Sequence, residues 1–314
     1  MPWSSSRIAG YSMSSCIAGG LTLIWLLLAV AVQADSEPIV VYDDAGRKVS
    51  LAKPARRIIS LAPHITENLF SAGAGNALVG VVAYSDYPKA AQQITSVGSY
   101  KRFNLEAMAA LQPDLVIAWR SGNGMGKIQQ IMDLGLQVYI TDPRRLEDIA
   151  TSVEHYGLLS GNEQTGREAS RRFNETLQQL RRVYSAQAPV SVFYQVWNKP
   201  LHTITGKHLI SDVIRLCGGR NVFENVLALA PKVSVESVLV ANPQVIIASG
   251  MGEARPEWLD DWLQWPSLQA VQNEHLYFIP PELVQRHTMR ILQGAQKMCE
   301  QLQRVRQKPL VVNH

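Results

Sequence analysis

The feature that most constrains the fold is an internal repeat at an offset of 130 residues. The segment NLEAMAALQPDLVIAW begins at Asn104, and the segment SVESVLVANPQVIIAS begins at Ser234. In both copies a helix-capping residue precedes a glutamate by two positions, and a buried strand follows a proline. The repeat predicts two similar lobes, each presenting one acidic residue, Glu106 or Glu236, at a helix start. A single such glutamate is explained by the helix dipole alone, but a matched pair favours a two-point docking surface.

Strand-like apolar runs alternate with helical patterns on both sides of a charged middle segment. The runs RIISLAP, ALVGVVAYSDYP and LQVYIT precede it, and VSVFYQVW and HLYFIP follow it. Strands separated by helices are typical of a parallel α/β sheet. We therefore predict an N-terminal α/β lobe over residues 35–143, a C-terminal α/β lobe over residues 188–308 and a tail over residues 309–314.

The middle segment, residues 144–187, combines dense charge with apolar residues at helical spacing. It predicts one long helix, with a possible interruption near Gly161, that joins two Rossmann-like lobes rigidly. A flexible hinge would instead consist of two or three loop crossings rich in small residues.

The first 34 residues differ from the rest of the chain. Arg7 is the only charged residue before Asp35, and residues 21–32 form an uncharged run that is apolar except for Thr22. This pattern is typical of a secretory signal peptide cleaved near Ala34. The alternative is an uncleaved membrane anchor, although the run is short for a bilayer span of about 20 residues. Either reading predicts an exported protein, and cleavage would place it in the periplasm.

Two cysteines, Cys217 and Cys299, remain after the predicted signal peptide. An even number of cysteines in an oxidising compartment favours a disulfide, and two inert buried thiols are the alternative. A bridge closing so long a loop would stabilise the fold by up to about 4–5 kcal/mol. The chain contains no CxxC pair, which disfavours a zinc or redox motif.

The motifs of the common catalytic classes are missing. The sequence has no GxSxG, no HExxH and no dinucleotide fingerprint, and its seven histidines are scattered. The formal net charge of +4 includes no Lys/Arg run, so nucleic acid is not an expected partner. We predict a binding protein with no catalytic residues, no protein-held metal and no cofactor.

Aromatic residues follow several predicted strands, at the edge where parallel sheets bind ligands. Each could cap the core of its own lobe. Together they favour a wide groove for a bulky, planar, mostly uncharged ligand, because only three basic residues (Lys101, Arg102 and Arg120) lie near them on the first lobe. These aromatic residues are Tyr84, Tyr87, Tyr100, Trp119 and Trp197.

Three segments carry a resemblance to a known family. RIISLAPHITENLFSAGAG, the stretch from VVAYSDYP to PDLVIAW, and LCGGRNVF resemble the substrate-binding proteins of iron-complex and cobalamin ABC importers. The resemblance runs from about Arg57 to Val305. It implies the class III periplasmic fold, with two α/β lobes on one backbone helix and a ligand between them. It also implies that Glu106 and Glu236 pair with arginines of the membrane permease.

Within the family, the chain is most similar to the members that carry cobalamin. This resemblance implies ligand contacts at Tyr84, Tyr100 and Trp119 and a disulfide between Cys217 and Cys299. The chain departs from those members at Ala230–Pro231, where a Trp-Pro pair is usual, and at Glu282, where they have aspartate. The segment VWNKPLHTITG also aligns less cleanly, and its Trp197 and His202 could reshape the pocket.

The resemblance and the residues together predict a non-enzymatic periplasmic protein. It would capture cobalamin or a related corrinoid and deliver it to an ABC importer in the inner membrane. The alternative ligand is haem or a ferric siderophore. The expected ligand-binding residues are Tyr84, Tyr100, Trp119, Trp197, His202 and Glu282.

Overall fold

The computed structural model describes residues 37–250 and 254–307. The predicted signal peptide over residues 1–34 and the predicted tail over residues 309–314 lie outside the described residues. Within the described parts of the chain, no helix is both long enough and apolar enough to span a membrane.

The strands are short and follow the predicted alternation with helices. In chain order they are β1 (Ile39–Tyr42), β2 (Lys48–Leu51), β3 (Ile58–Ser60), β4 (Leu78–Val81), β5 (Gly98–Ser99), β6 (Arg102–Phe103), β7 (Leu115–Trp119), β8 (Val138–Thr141), β9 (Val190–Asn198), β10 (Leu201–Thr203), β11 (Gly219–Asn221), β12 (Val245–Ala248) and β13 (Leu276–Phe278).

The α-helices range from single turns to one of 22 residues. They are α1 (Pro63–Ser71), α2 (Leu105–Ala110), α3 (Arg120–Asn123), α4 (Met125–Asp133), α5 (Leu146–Ser160), α6 (Glu163–Tyr184), α7 (Leu209–Leu216), α8 (Val235–Ala241), α9 (Gln269–Gln272), α10 (Pro281–Val284) and α11 (Ile291–Gln307).

Each lobe contains its own mainly parallel sheet. In the N-terminal lobe the strand order is β4-β3-β7-β8, with every pair parallel. In the C-terminal lobe β9 pairs in parallel with β11 and β12, β12 pairs in parallel with β13, and β10 folds back antiparallel on β9. The central strands β7 and β12 are buried along most of their length, as expected when helices cover both faces of a sheet. The fold is α/β with two lobes.

The two copies of the sequence repeat occupy equivalent places in these sheets. The first copy forms α2 and β7, and the second forms α8 and β12. β7 pairs with β3, the first strand of its sheet, and β12 pairs with β9, the first strand of the other. The repeat therefore relates one lobe to the other, as the sequence indicates.

The linking segment is a helical hairpin instead of one continuous helix. α5 ends at Ser160 and is capped by Gly161, whose φ of 74° is a left-handed conformation that glycine adopts without a steric penalty. α6 then runs back along α5. The two helices approach closely because Gly157 faces Gly166: a Cβ on Gly157 would lie 2.8 Å from the Gly166 Cα. The interruption anticipated near Gly161 is therefore a reversal of the chain.

Both helices of the hairpin belong to the cores of both lobes. From α5, Leu146 and Ile149 pack in the C-terminal core, whereas Val153 and Tyr156 pack in the N-terminal core. α6 does the same in the opposite order, with Ala169 in the N-terminal core and Phe173, Leu177 and Leu180 in the C-terminal core. The lobes are thus fastened by two helices. The residue boundaries at 143/144 and 187/188 stay a prediction.

Cys217 and Cys299 form the predicted disulfide, which joins the end of α7 to α11. Both cysteines are fully buried in the C-terminal core. The bridge closes a loop with a sequence separation of 82 residues. It fixes the last helix of the chain to the second lobe.

Candidate ligand-binding site

The seam between the lobes contains a cluster of aromatic and imidazole rings. His64 lies in the first turn of α1, Trp119 ends β7, and His287 lies between α10 and α11. The ring centroids of His64 and Trp119 are 5.0 Å apart, those of His64 and His287 are 5.4 Å apart, and those of Trp119 and His287 are 5.9 Å apart. His208, the N-cap of α7, adds a further ring 5.9 Å from His287. Both lobes therefore contribute to the cluster.

Burial keeps these imidazoles neutral. Desolvation lowers the pKa of His64 to about 3 and that of His208 to about 4. The pKa of His287 is lowered well below its ordinary value by desolvation, with further lowering from the neighbouring histidines and from Arg144. At neutral pH the ring cluster carries no charge.

Several polar atoms of the seam are buried without a hydrogen-bond partner. They are His64 Nε2, Asn68 Oδ1, Trp119 Nε1 and His287 Nδ1. Asn68 belongs to the same cluster because its Nδ2 donates to the His287 carbonyl oxygen at 2.9 Å. Buried polar groups are paired in most proteins, so four unpaired atoms in one cluster mark a functional candidate.

Two ion pairs cross the seam beside the rings. Arg290 donates from Nε and Nη2 to the two carboxylate oxygens of Glu67, at 2.6 and 2.8 Å. Arg286 pairs with Asp86 at 2.5 Å, and this hydrogen bond is the main reason that the pKa of Asp86 is lowered. The Arg290 guanidinium also lies 3.9 Å from the centroid of the Tyr87 ring. The middle of the seam is therefore filled by contacts of the protein itself.

Three aromatic residues predicted on the first lobe lie at the rim of the seam. Tyr84 is 76% exposed, with a φ of 66°, and follows β4. The half-buried rings of Tyr100 and Trp119 are tilted by 38° with centroids 6.1 Å apart. The structure thus brings Tyr100 and Trp119 together and leaves Tyr84 mostly in solvent.

Asn123 holds two of these residues in place, a role that its sequence context does not reveal. Its Oδ1 accepts a hydrogen bond from the Trp119 backbone N–H at 2.6 Å. Its Nδ2 donates to the carbonyl oxygens of Tyr100 and Leu61, at 2.7 and 3.0 Å. In the sequence Asn123 stands between two glycines in the Gly/Ser-rich stretch after β7, where asparagine is an ordinary turn residue. Its buried amide is a positioning group for the rim.

The predicted residues of the second lobe lie on separate elements. Trp197 and His202 are cross-strand partners on the β9–β10 hairpin, and both are half-buried. Glu282 lies half-buried on α10. The pKa of Arg290 is raised mainly by its hydrogen bond to Glu67, and the charge of Glu282 adds to the increase. β10 follows the carboxyl end of β9, and α10 follows the carboxyl end of β13.

A cavity of about 490 Å³ is lined by basic side chains from the linking segment and the second lobe. Arg144 pairs with Asp142 at 2.6 Å, and the other arginines that line the cavity also have carboxylate partners. Lys207, which lines this cavity, directly precedes His208 in the chain, so the cavity lies beside the His208 end of the ring cluster. The basic lining residues are Arg144, Arg145, Lys207 and Arg215.

The paired glutamates occupy matching positions outside the seam. Asn104 Oδ1 accepts from the Ala107 backbone N–H and caps α2, and Ser234 Oγ accepts from the Ser237 backbone N–H and caps α8. Glu106 and Glu236 follow in the first turns, and both are exposed. The backbone and the Ser234 hydroxyl lower the pKa of Glu236. Both carboxylates are therefore accessible at the surface.

Metal-ligating side chains are not grouped in the described part of the chain. Residues 37–250 and 254–307 contain no set of three or more His, Cys, Asp or Glu side chains able to hold a metal ion.

The fold and the seam define a two-lobed ligand-binding protein, and comparison with known proteins identifies its family. Residues 58–283 match the family model described as periplasmic binding protein. The chain belongs to this family, whose members are binding proteins and not enzymes.

Several relatives of the chain are named for the ligand that they bind. The vitamin B12-binding protein of Vibrio parahaemolyticus is 38% identical over 259 residues, which cover 82% of this chain and 92% of the relative. The vitamin B12-binding protein of Vibrio cholerae is 38% identical over 255 residues, which cover 80% and 91%. The crystal structure of the periplasmic vitamin B12 binding protein BtuF of Vibrio cholerae superposes with a TM-score of 0.75 at 36% identity, covering 81% of this chain and 98% of that one.

Proposed function

We propose that the chain is a periplasmic substrate-binding protein that captures cobalamin or a related corrinoid between its lobes and delivers it to an ABC importer. The observation that carries the proposal is the match to vitamin B12-binding proteins along 82% of the chain. The half-buried ring pair of Tyr100 and Trp119 at the carboxyl edge of the first sheet supports it, since a large ligand with apolar faces can pack there.

The proposed ligand site extends along the rim of the seam. The aromatic rings of the first lobe would hold one side of the corrin, and the β9–β10 hairpin with α10 would hold the other. Affinity would come from apolar contact and from hydrogen bonds to the ligand's amides, without a protein ligand to cobalt. The proposed ligand-binding residues are Tyr84, Tyr100, Trp119, Trp197, His202 and Glu282.

Calorimetry with cyanocobalamin tests this proposal. The purified mature protein should bind one equivalent with a dissociation constant in the micromolar range or below. Trp119→Ala should weaken binding at least about tenfold, because a stacked aromatic platform contributes on the order of 1.4 kcal/mol. Tyr42→Ala is the matched control, since Tyr42 is an exposed aromatic on β1. Absence of heat and of coelution at micromolar concentrations would refute the proposal.

The permease is the proposed partner of the two exposed glutamates. We expect Glu106→Ala combined with Glu236→Ala to abolish cobalamin uptake in cells while the affinity for the ligand is unchanged. The control is Glu168→Ala combined with Glu175→Ala, two glutamates in exposed pairs on α6 whose loss costs little. If transport survives the first double substitution, Glu106 and Glu236 only stabilise the first turns of their helices.

Export through a cleaved signal peptide belongs to the same proposal. The protein recovered from the periplasmic fraction should begin near Asp35 by intact mass. Full-length protein in the membrane fraction would instead establish a retained anchor.

An anionic ligand such as haem is the second candidate, and the basic cavity beside the seam favours it. A Soret shift on adding hemin, lost on substitution of Tyr84 or His202, would support haem. Because the lining arginines already have carboxylate partners, the cavity offers less net positive charge than its basic residues suggest. This balance favours the corrinoid.

A further inference from the structure

We infer that the buried polar atoms of His64, Asn68, Trp119 and His287 form a subsite for an uncharged carboxamide group of the ligand, and that this subsite rejects a carboxylate in the same place. The inference rests on the proposed function, because it requires a ligand with amide arms between the lobes. These four residues are called the seam cluster below. They add a specificity-determining site to the rim residues of the proposed pocket.

The donors and acceptors of the seam cluster match an amide. Trp119 Nε1 can only donate a hydrogen bond. Asn68 Nδ2 is already engaged by the His287 carbonyl oxygen, so the remaining Asn68 Oδ1 can only accept. The free nitrogens of His64 and His287 donate or accept according to tautomer. A carboxamide supplies one carbonyl acceptor and an NH2 group with two donors, so it carries a complementary partner for each of the two fixed groups.

A carboxylate does not match the same atoms. It offers acceptors only, so Asn68 Oδ1 would remain unpaired and would face a negative oxygen. Burial holds the imidazoles neutral, and they therefore supply no countercharge. The cations beside the seam are already paired: Arg290 with Glu67, Arg286 with Asp86 and Arg144 with Asp142. A buried carboxylate without a cation is strongly disfavoured.

The position of the seam cluster allows an arm of the ligand to reach it. Trp119 is half-buried and contacts Tyr100 on the rim side and His64 on the inner side. Trp119 belongs to the first lobe and His287 to the second, so a small separation of the lobes opens the contact between them. A corrin that packs on the rim rings carries flexible acetamide and propionamide arms long enough to enter this gap.

The experiment compares cyanocobalamin with its three monocarboxylic acids, each with one propionamide hydrolysed to a carboxylate. Dissociation constants are measured by calorimetry at pH 7.5 for the mature protein, for His64→Phe, for Asn68→Leu and for the control Tyr42→Ala. His64→Phe keeps a ring in the cluster, and Asn68→Leu keeps the side-chain volume. Circular dichroism and thermal unfolding confirm that each variant is folded.

We expect the parent protein and Tyr42→Ala to bind at least one monoacid at least tenfold more weakly than cyanocobalamin. His64→Phe or Asn68→Leu should reduce that ratio below threefold for the same monoacid. The inference is refuted if cyanocobalamin binds but every monoacid binds equally well. It is also refuted if His64→Phe and Asn68→Leu keep the parent's ratio of dissociation constants. In both cases the proposed function stands. If cyanocobalamin itself does not bind, the proposed function fails and the inference fails with it.

Discussion

The buried ion pair between Glu67 and Arg290 allows the stability of the seam to be measured directly. Glu67 is 2% exposed, and both of its carboxylate oxygens accept from the Arg290 guanidinium. Arg290→Met removes the cation and preserves much of the apolar volume. The remaining carboxylate would then be buried without its partner, in the middle of the contact between the lobes.

The expected loss follows from this geometry. Removal of one partner of a buried ion pair costs about 3–5 kcal/mol. The Arg290 guanidinium also lies over the Tyr87 ring, an interaction that contributes about 0.5–1 kcal/mol. We therefore expect Arg290→Met to lower the free energy of unfolding by about 4 kcal/mol. With an unfolding entropy of about 2 cal/mol/K per residue, that corresponds for a chain of this size to a fall in Tm of about 7 °C.

Urea and thermal unfolding monitored by circular dichroism measure the effect, and two further variants make it specific. Glu67→Gln combined with Arg290→Met should recover most of the loss, because a neutral pair avoids the unpaired charge. Arg286→Met removes the other cross-seam arginine, whose partner Asp86 is 49% exposed, and should cost about 1 kcal/mol or less. A loss below about 1 kcal/mol for Arg290→Met, or no recovery in the double variant, would refute the reasoning.

Three other expectations concern the disulfide, the histidines and the hairpin. Cys217→Ser combined with Cys299→Ser should lower the free energy of unfolding by about 4–5 kcal/mol, the chain-entropy value for a loop of this length. Unfolding curves of the parent protein with and without a reductant measure the same difference. Burial lowers the pKa of His64 in the folded protein to about 3, so the unfolded chain takes up a proton at a higher pH than the folded one. The protein should therefore lose about 2 kcal/mol of its free energy of unfolding between pH 7 and pH 5. Equal urea midpoints at pH 7 and pH 5 would contradict this. Gly157→Ala should destabilise the α5–α6 crossing by about 1–3 kcal/mol, whereas Gly126→Ala, which has open space around it, should not lower Tm.

The lobes were predictable from the sequence because their determinants are local. Short apolar runs separated by helical patterns specify parallel strands, and the repeat shows that α2–β7 and α8–β12 are equivalent. The disulfide was also predictable, since only two cysteines follow the predicted signal peptide. The strands and helices are predicted from patterns within single segments, and the disulfide is predicted from the number of cysteines.

The helical hairpin was only partly predictable, since a glycine such as Gly161 can either kink a helix or end it. What decides between them is tertiary: α6 packs back on α5 through the facing glycines Gly157 and Gly166. A periodic pattern of apolar residues shows that helices form but does not show which helix they pack against. The sequence pattern therefore located the interruption without revealing the reversal.

The seam cluster could not be predicted from a sequence motif. Its residues come from α1, from the end of β7 and from the segment before α11, so no spacing connects them. The only available signal was positional, because His64 and His287 both flank helix starts. The roles of the six predicted ligand-binding residues stay predictions, although the structure places Tyr100 and Trp119 in contact.

The distribution of contacts indicates how the two lobes can separate to admit a ligand. Rotation of one lobe against the other would pull α5 and α6 out of cores that they share, with Ile149 and Leu177 on one side and Val153 and Tyr156 on the other. That motion would expose several large apolar side chains, each at about 1.5–3 kcal/mol. Parting of the seam itself breaks two ion pairs, the Asn68–His287 hydrogen bond and a set of neutral ring contacts, and one of the ion pairs, Arg286 with Asp86, is partly exposed. The lobes should therefore open by a small movement at the seam with the hairpin intact. A ligand that enters there can pair the seam atoms that the free protein leaves without partners, which offsets part of the cost of opening.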